Sequence, residues 1–376
     1  MIDRIRLTNF KAFRSLDLVF GPLTLLSGVN AAGKSTVMQA LALLRQSFDA
    51  GMLSAQGGGL LLNGDLIDLG VGQDVLHEDY ATDREQEYPL ISIGVERDGR
   101  SGEWTVRYQR ALHREADVLP LETTPELFED LSLFANGFQY LKADRIVPSV
   151  HYPKSYEAAV RRGFLGARGE HTVNYLRVRG EDRVGSPLLQ HPKAKSDLLL
   201  DQTDAWFQEI CPGVNLQATD LQGTDLVRLS YGFFGTTGLR SSIRYRPTNV
   251  GFGLTYVLPV VVACLASQAG RLILLENPEA HLHPRGQTAI TKLACRAASA
   301  GAQLVIESHS DHVLNAVRLA VKDGVLTPEG VVLHYFHRDG EAIHISSPEV
   351  GGDGMLSEWP KGFFDEWDNA IDRLLD

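Results

Sequence analysis

The chain has 376 residues, a hydrophobic fraction of 44% and a formal charge of −11. It is long and apolar enough for one large domain or two ordinary ones, and its acidity excludes a surface that is basic throughout. Cys211, Cys264 and Cys295 show no C-x-x-C spacing and read as free thiols of a reducing compartment. The longest apolar run, Tyr256 to Ala266, contains Pro259 and is too short for a bilayer, and Met1 to Leu7 begins as an amphipathic strand rather than a cleavable signal. A cytoplasmic protein without membrane contact is expected.

Residues 1–110 alternate strands with one strong helix. Ile2, Ile5, Leu7, Phe10 and Phe13 mark a first β-segment and Leu16–Phe20 a second. The apolar run Leu23–Ser27 suits a buried strand, and Thr36–Phe48 has helical periodicity with Val37, Leu41, Leu44 and Phe48 on one face. Between them Gly28-Val-Asn-Ala-Ala-Gly-Lys-Ser-Thr36 is a complete G-x-x-x-x-G-K-S phosphate loop. Its glycines let backbone N–H groups close around phosphate oxygens, and the helix start adds a partial positive charge. Asn30, Gly33, Lys34, Ser35 and Thr36 are the expected nucleotide residues, for ATP with Mg²⁺. Lys34 reaches the β- and γ-phosphates and the Ser35 hydroxyl ligates the metal. Gly57–Gly59 then breaks the chain. Leu60–Leu69 reads as hairpin-like with a turn at Asn63-Gly64, and Leu90–Val95 and Trp104–Tyr108 read as strands joined through Arg97–Arg100.

Residues 111–215 read as an insertion of helices and loops, with helices expected over 125–133 and 196–210 and no sustained heptads. From Lys154 to Lys195 there are nine Lys/Arg against four Asp/Glu. That local excess suits either a solvated loop region or a nucleic-acid patch on an acidic protein. Residues 216–350 return to α/β. Strands are expected at 226–229, 242–245, 271–275, 303–306, 330–336 and 342–346, and helices at 252–267, 284–299 and 310–321. Residues 351–376 form an aromatic and acidic tail, with Trp359, Phe363, Phe364 and Trp367 among Asp353, Glu358, Asp365, Glu366 and Asp368. It reads as a packing or docking element.

A phosphate loop needs an acidic partner on a neighbouring strand. Arg271-Leu-Ile-Leu-Leu-Glu276 supplies a Walker B strand, followed by Asn277-Pro-Glu-Ala-His-Leu-His-Pro284. A third strand, Gln303–Ile306, ends in Glu307-Ser-His-Ser310. Polar residues at the carboxyl ends of such strands stand at the ligand crevice of an open α/β sheet.

Together these blocks resemble the ABC-type ATPases of the RecF/SMC class, in the group that includes OLD-family and other prokaryotic defence-associated ATPases such as those of Septu systems. Leu7-Thr-Asn-Phe-Lys-Ala-Phe13 resembles the class's first strand, the Walker B block its D/E-E/N-P-E-x-H-L-H-P pattern, and Ser308-His309-Ser310 its switch histidine. Asn249-Val-Gly-Phe-Gly-Leu-Thr255 resembles a degenerate signature motif. The likeness covers roughly 1–110 and 225–350. It implies an α/β fold, a RecF/SMC-like ATPase head with a P-loop mixed sheet interrupted by the insertion. It also implies that Glu276 is the Walker B acid near Mg²⁺, that His309 contacts the γ-phosphate, and that Gly251 and Gly253 cap the ATP of a second subunit in a head-to-tail homodimer. Gln73 is the best candidate for the Q-loop residue, with Asp74 a rival. The class explains the His281/His283/Glu279 and Glu307/His309/His312 clusters as switch and interface elements without metal. One departure stands out: Asn277 occupies the place of the water-polarising glutamate, so turnover is expected to be slow through Glu279, or nearly absent. OLD proteins carry a Toprim nuclease, whereas only about 65 residues follow His309 here, so the expected role is control of a separate nuclease or other effector. A RecF-like repair ATPase that binds DNA through 154–195 is the alternative.

Overall fold

A computed structural model describes residues 1–53, 57–80, 88–123, 125, 131–233, 243–340, 342–360, 362–364, 371 and 373–374. In chain order, β1 (Arg4–Phe10) and β2 (Phe13–Val19) lead into β3 (Leu23–Gly28) and α1 (Lys34–Asp49). Then come β4 (Gly59–Leu61), α2 (Gly72–Val75), β5 (Leu90–Arg97), β6 (Arg100–Arg107), α3 (Arg110–His113) and β7 (Val118–Pro120). Next are β8 (Gln139–Leu141), β9 (Tyr152–Pro153), a π-helix (Tyr156–Arg162), α4 (Thr172–Arg179) and α5 (Leu199–Ile210). The rest is β10 (Val214–Asp220), β11 (Leu226–Phe233), α6 (Phe252–Leu265), β12 (Leu272–Glu276) and α7 (Pro284–Ser299). It closes with β13 (Gln303–Glu307), α8 (Asp311–Lys322), β14 (Val331–Asp339) and β15 (Ala342–Ser346). This is an α/β protein with parallel and antiparallel pairing. It divides into two compact units: Met1–Gly21, Leu26–Ala135 and His334–Ser346 form the first, and Pro22–Leu25, Asn136–Leu333 and Ser347–Asp376 the second.

The first unit holds an antiparallel sheet of order β2-β1-β5-β6. Alternation puts Ile5 opposite Leu18 and Val95, and Leu7 opposite Leu16 and Ile93, all buried. The other face carries charge pairs, Arg4–Asp17 at 2.8 Å and Arg6–Glu96 at 2.7 Å. Helix α1 is buried almost all round rather than on one face, with Val37, Met38 and every residue from Ala40 to Leu44 fully covered. Only Phe48 of the expected stripe is half-exposed, 4.7 Å from the Phe134 ring. The 60–69 stretch differs from a regular hairpin. β4 pairs with β7, and the turn is held by Gln46 of α1, whose Oε1 accepts from Leu66 N at 3.0 Å and Ile67 N at 3.1 Å. The turn keeps a narrow hairpin pairing, with an antiparallel bridge of Asn63 to Asp68 and Leu69 N donating to Leu62 O at 2.9 Å, and the buried helix amide adds to it. β15, β14 and the carboxyl end of β3 lie in that order, with Val29 N donating to Phe336 O at 3.1 Å.

In the second unit β8, β12 and β13 run parallel, in that order. The amino end of β3 lies beyond β13, where Leu304 N donates to Pro22 O at 2.8 Å. β8, which comes from the expected insertion, is therefore a strand of the parallel sheet. Its three residues are too few to show a period in sequence. α7 packs on α5, α6 and α8. α6 ends at Leu265, two residues before its expected end, and Leu254–Leu265 is buried throughout. β10 pairs with β11, which pairs with β9. Residue 242 of the expected strand 242–245 lies outside the described residues, and of the rest only Tyr245 bridges, to Tyr231; most of the expected helix 125–133 also lies outside the described residues. In the tail Phe363 is fully buried and lies 5.3 Å from Trp359, over which Arg318 stacks at 5.5 Å. Asp365, Glu366, Trp367 and Asp368 lie outside the described residues.

Candidate nucleotide site

In the first unit, the turn from β3 to α1 has the backbone a phosphate cradle needs. Gly28, Ala31 and Gly33 have φ of 135°, 59° and 88°, so the chain turns its N–H groups inward ahead of the helix. Gly33 is required by space as well as by φ, since a Cβ there would stand 2.5 Å from Phe13 Cζ. Phe13 of the opening motif thus packs directly beneath the loop. Lys34 is buried, and its Nζ donates to Gly28 O at 3.0 Å and Val29 O at 2.7 Å, which holds the ammonium across the loop. Thr36 N donates to Gly33 O at 3.0 Å, Ser35 is half-buried at the helix start, and Asn30 is exposed on the loop. Donors, a helix start and an ammonium converge here without a carboxylate in the loop, so the residues fit the phosphates of a nucleotide.

In the second unit, the Walker B strand ends in a buried polar network. Glu276 accepts from the Tyr140 hydroxyl and from Ala143 N, the latter at 2.9 Å. Tyr140 is at the middle of β8 and Ala143 just past its end, so the parallel pairing of β8 with β12 brings them to the same edge. Burial and the neighbouring Glu276 push the Tyr140 hydroxyl well above its ordinary pKa, which keeps it a donor. Arg145, 1% exposed, binds four carbonyls: Glu276 O and Asn277 O at 2.6 Å each, Lys142 O at 3.1 Å and Tyr256 O at 3.2 Å. Its guanidinium lies 4.3 Å over the Tyr256 ring, and the Tyr256 hydroxyl donates to Ala143 O. Arg145, Tyr140 and Tyr256 were invisible as site residues in sequence, because they follow no motif spacing. The only hint is the short stretch Phe138-Gln-Tyr-Leu141, followed at once by Lys142.

Glu279 is 7% exposed. Its Oε1 accepts from Ser308 Oγ at 2.7 Å and His309 N at 3.3 Å, while Oε2 is buried with no hydrogen-bond partner among the described residues. Burial raises its pKa, against the pull of Ser308, His309 and Arg145. Asn277 stands at φ 43°, anchored by its N–H to Glu307 O at 2.8 Å, with its side-chain oxygen also buried and unpartnered. The 276–279 turn and the 308–309 turn are therefore tied through one carboxylate, and the His309 side chain faces outward from it.

The signature segment forms the start of α6. Gly251 is the exposed N-cap, and a Cβ at Gly253 would stand 2.5 Å from His281 O. His281 packs between Phe252 and Tyr256, with ring centroids at 4.8 and 4.7 Å. Gln73 lies in the four-residue helix α2, and its Oε1 accepts from Arg114 at 3.0 Å. Asp74 caps the same turn through Val71 N at 2.9 Å. The residues that the sheet itself brings to the Walker B carboxylate are those after β8, from Lys142 to Arg145. No grouping of metal-ligating side chains occurs among the described residues. The Ser35 hydroxyl at the start of α1 and, separately, the Glu276 carboxylate at the end of β12 are groups of the kind that would serve Mg²⁺. Glu276 already accepts two protein hydrogen bonds, so it fits a hold on the ion's water shell. When bound, the metal would supply charge neutralisation for the phosphates of the nucleotide.

Three family models match separate stretches of the chain. Residues 1–87 match one described as "AAA ATPase domain" and residues 192–315 one described as "AAA domain, putative AbiEii toxin, Type IV TA system". Residues 326–374 match one described as "Protein of unknown function (DUF3696)". The phosphate loop falls in the first stretch, and the signature segment, Walker B block and His309 in the second. The chain thus carries ATPase-domain sequence on both sides of its 88–191 segment. No curated protein matches it by sequence. Among solved structures, an Smc head bound to the C-winged helix domain of ScpA is 13% identical, with a TM-score of 0.49 over 93% of this chain and 98% of that one. The SMC head domain from Thermotoga maritima is 12% identical, with a TM-score of 0.43 over 92% and 98%. An Smc head with extended coiled coil, bound to the C-terminal domain of ScpA derived from Pyrococcus furiosus, is 12% identical, with a TM-score of 0.46 over 100% of both chains.

Proposed function

We propose that this chain is a nucleotide switch: an ATP-binding, slowly hydrolysing subunit that works as a head-to-tail homodimer and controls a separate effector such as a nuclease. The observation that carries it is the double tie of Glu279 to Ser308 and His309 behind the Walker B turn. Such a link makes the position of the His309 segment depend on what happens at residues 276–279. The loop supplies ATP binding through Gly33, Lys34, Ser35 and Thr36. His309 reads the γ-phosphate, Ser35 serves Mg²⁺ at the loop, and Glu276 is the Walker B acid. Gly251, Phe252 and Gly253 act on the ATP of the second subunit; the exposure of Gly251 and Phe252 at the start of α6 supports this. A prokaryotic defence or DNA-surveillance role draws support from the toxin named in the description of the model matching 192–315. No helix among the described residues is long and apolar enough to cross a membrane, which accords with a cytoplasmic site of action.

Asn277 favours a second reading, an ATP-bound clamp with almost no turnover. An amide cannot take a proton from water, and Glu279 is buried and already engaged. Single-turnover phosphate release from wild type, Glu279→Gln and Asn277→Glu separates the two. The switch reading expects slow release in wild type, a fall of about tenfold or more in Glu279→Gln, and a rise of roughly 10²-fold in Asn277→Glu. Equal, near-zero release from wild type and Glu279→Gln leaves only the clamp.

A further inference from the structure

Part of the basic segment singled out in the sequence is at the surface, where the Arg168, Arg183 and Lys193 side chains are exposed. Three of its arginines, Arg161, Arg162 and Arg179, line one cavity of about 250 Å³ in the second unit, together with Arg271, Tyr175 and Asp182. Four arginines and one acid line it, on a chain whose net charge is −11, while Glu157 outside the lining pairs with Arg161 and lies 3.8 Å from Arg162. The cavity borders Gln139, Arg271 and Ile273, at the amino ends of β8 and β12. Glu276 ends β12, so roughly 16 Å of extended chain separates it from Arg271. This is the opposite edge of the parallel strands from the Walker B carboxylate.

Local structure holds the arginines in place. Arg161 and Arg162 close a π-helix, a rare geometry that recurs at functional sites, and Gly163 ends it at φ 66°. Arg161 pairs with Glu157, and Arg179 with Asp182 at 3.2 Å while also reaching Val160 O at 3.2 Å. Arg271 bonds through its backbone to Gln268 and Gln303, but its guanidinium has no hydrogen-bond or carboxylate partner among the described residues, and its stem passes Gly137, where a Cβ would stand 3.4 Å from Arg271 Cδ. Tyr175 lines the same space, beside Arg179 and Asp182. A guanidinium fork with no carboxylate of its own, beside others already oriented, is a site for an anion that can accept several planar hydrogen bonds.

We infer that this cavity binds a terminal phosphate group, with Arg271 as its principal contact. Its volume is below the roughly 300–1,000 Å³ of pockets for drug-sized ligands. It therefore suits a phosphate with its attached sugar rather than a continuous nucleic-acid backbone. The phosphate could come from a free nucleoside monophosphate or from the 5′ end of a strand; the chemistry is shared.

The test uses the full-length chain carrying Lys34→Ala, so that the phosphate loop does not contribute. AMP, a 5′-phosphorylated tetranucleotide and the same tetranucleotide with a 5′-hydroxyl are titrated calorimetrically. The inference expects saturable one-to-one binding of at least one phosphorylated probe, and none of the hydroxyl probe. AMP alone identifies a free nucleotide as the source; the tetranucleotide identifies a strand end. Adding Arg271→Gln should weaken binding roughly tenfold to hundredfold, with an unchanged melting temperature. With Lys34 intact, the single Arg271→Gln chain should still titrate ATP like wild type. No binding of either phosphorylated probe, equal binding of the hydroxyl probe, or an unaltered affinity in Arg271→Gln overturns it.

Discussion

Arg145 is the residue on which the Walker B edge depends most. It satisfies four carbonyls from inside the protein, two of them at the 276–277 turn. Arg145→Met keeps most of the volume but leaves those oxygens buried and unpaired, so it should cost roughly 3 kcal/mol or more, read as a lower urea midpoint. Lysine should recover only part, because a point charge cannot span the carbonyls that a planar fork reaches. Gly33→Ala is the matching experiment on the loop. The added Cβ meets Phe13 and the backbone sits at φ 88°, so a loss of about 1–3 kcal/mol is expected. Combining it with Phe13→Leu should relieve the clash but not the backbone strain. The glycines and lysine of the loop were legible in sequence because their chemistry fixes their spacing. Arg145 was not, because its role comes from where β8 delivers it.

At the scale of elements, α5 meets β10 through Asp204, whose Oδ1 accepts from Leu216 N at 2.7 Å. Burial lifts that carboxyl from 3.8 to about 7. The folded state then holds the proton more tightly than the unfolded chain. Its contribution to stability is complete below about pH 4 and is lost as pH rises through about 7. Asp204→Asn keeps the acceptor and removes the titration. Melting curves from pH 5 to 8 should show wild type losing stability relative to Asp204→Asn as pH rises; parallel curves would refute the assignment. The long apolar elements α7, β12, β13 and α8 were readable to within a residue or two, since period and caps both mark them. The three-residue β8 and the π-helix were not. One is too short to show a period, and the other departs from the 3.6-residue repeat on which such reading rests.

At the scale of the whole molecule, the two halves of the ATP motif set lie in different compact units of one chain. The phosphate loop is in the first, and Glu276, Glu279, His309 and the signature segment are in the second. Sequence disclosed both halves because each is a dense block of chemistry-bearing residues. It left the division hidden, because β3 and β14 each change unit partway along their length. The tie between Glu279 and the 308–309 turn likewise spans thirty positions that no local pattern connects. The central claim, that this chain is an ATP-operated switch, is tested most directly by equilibrium titration of ATP with Mg²⁺ into wild type and Lys34→Ala. The account predicts saturable binding of one ATP per chain in wild type, and a loss of about 10²-fold or more in Lys34→Ala. An unchanged ATP affinity in Lys34→Ala would contradict it.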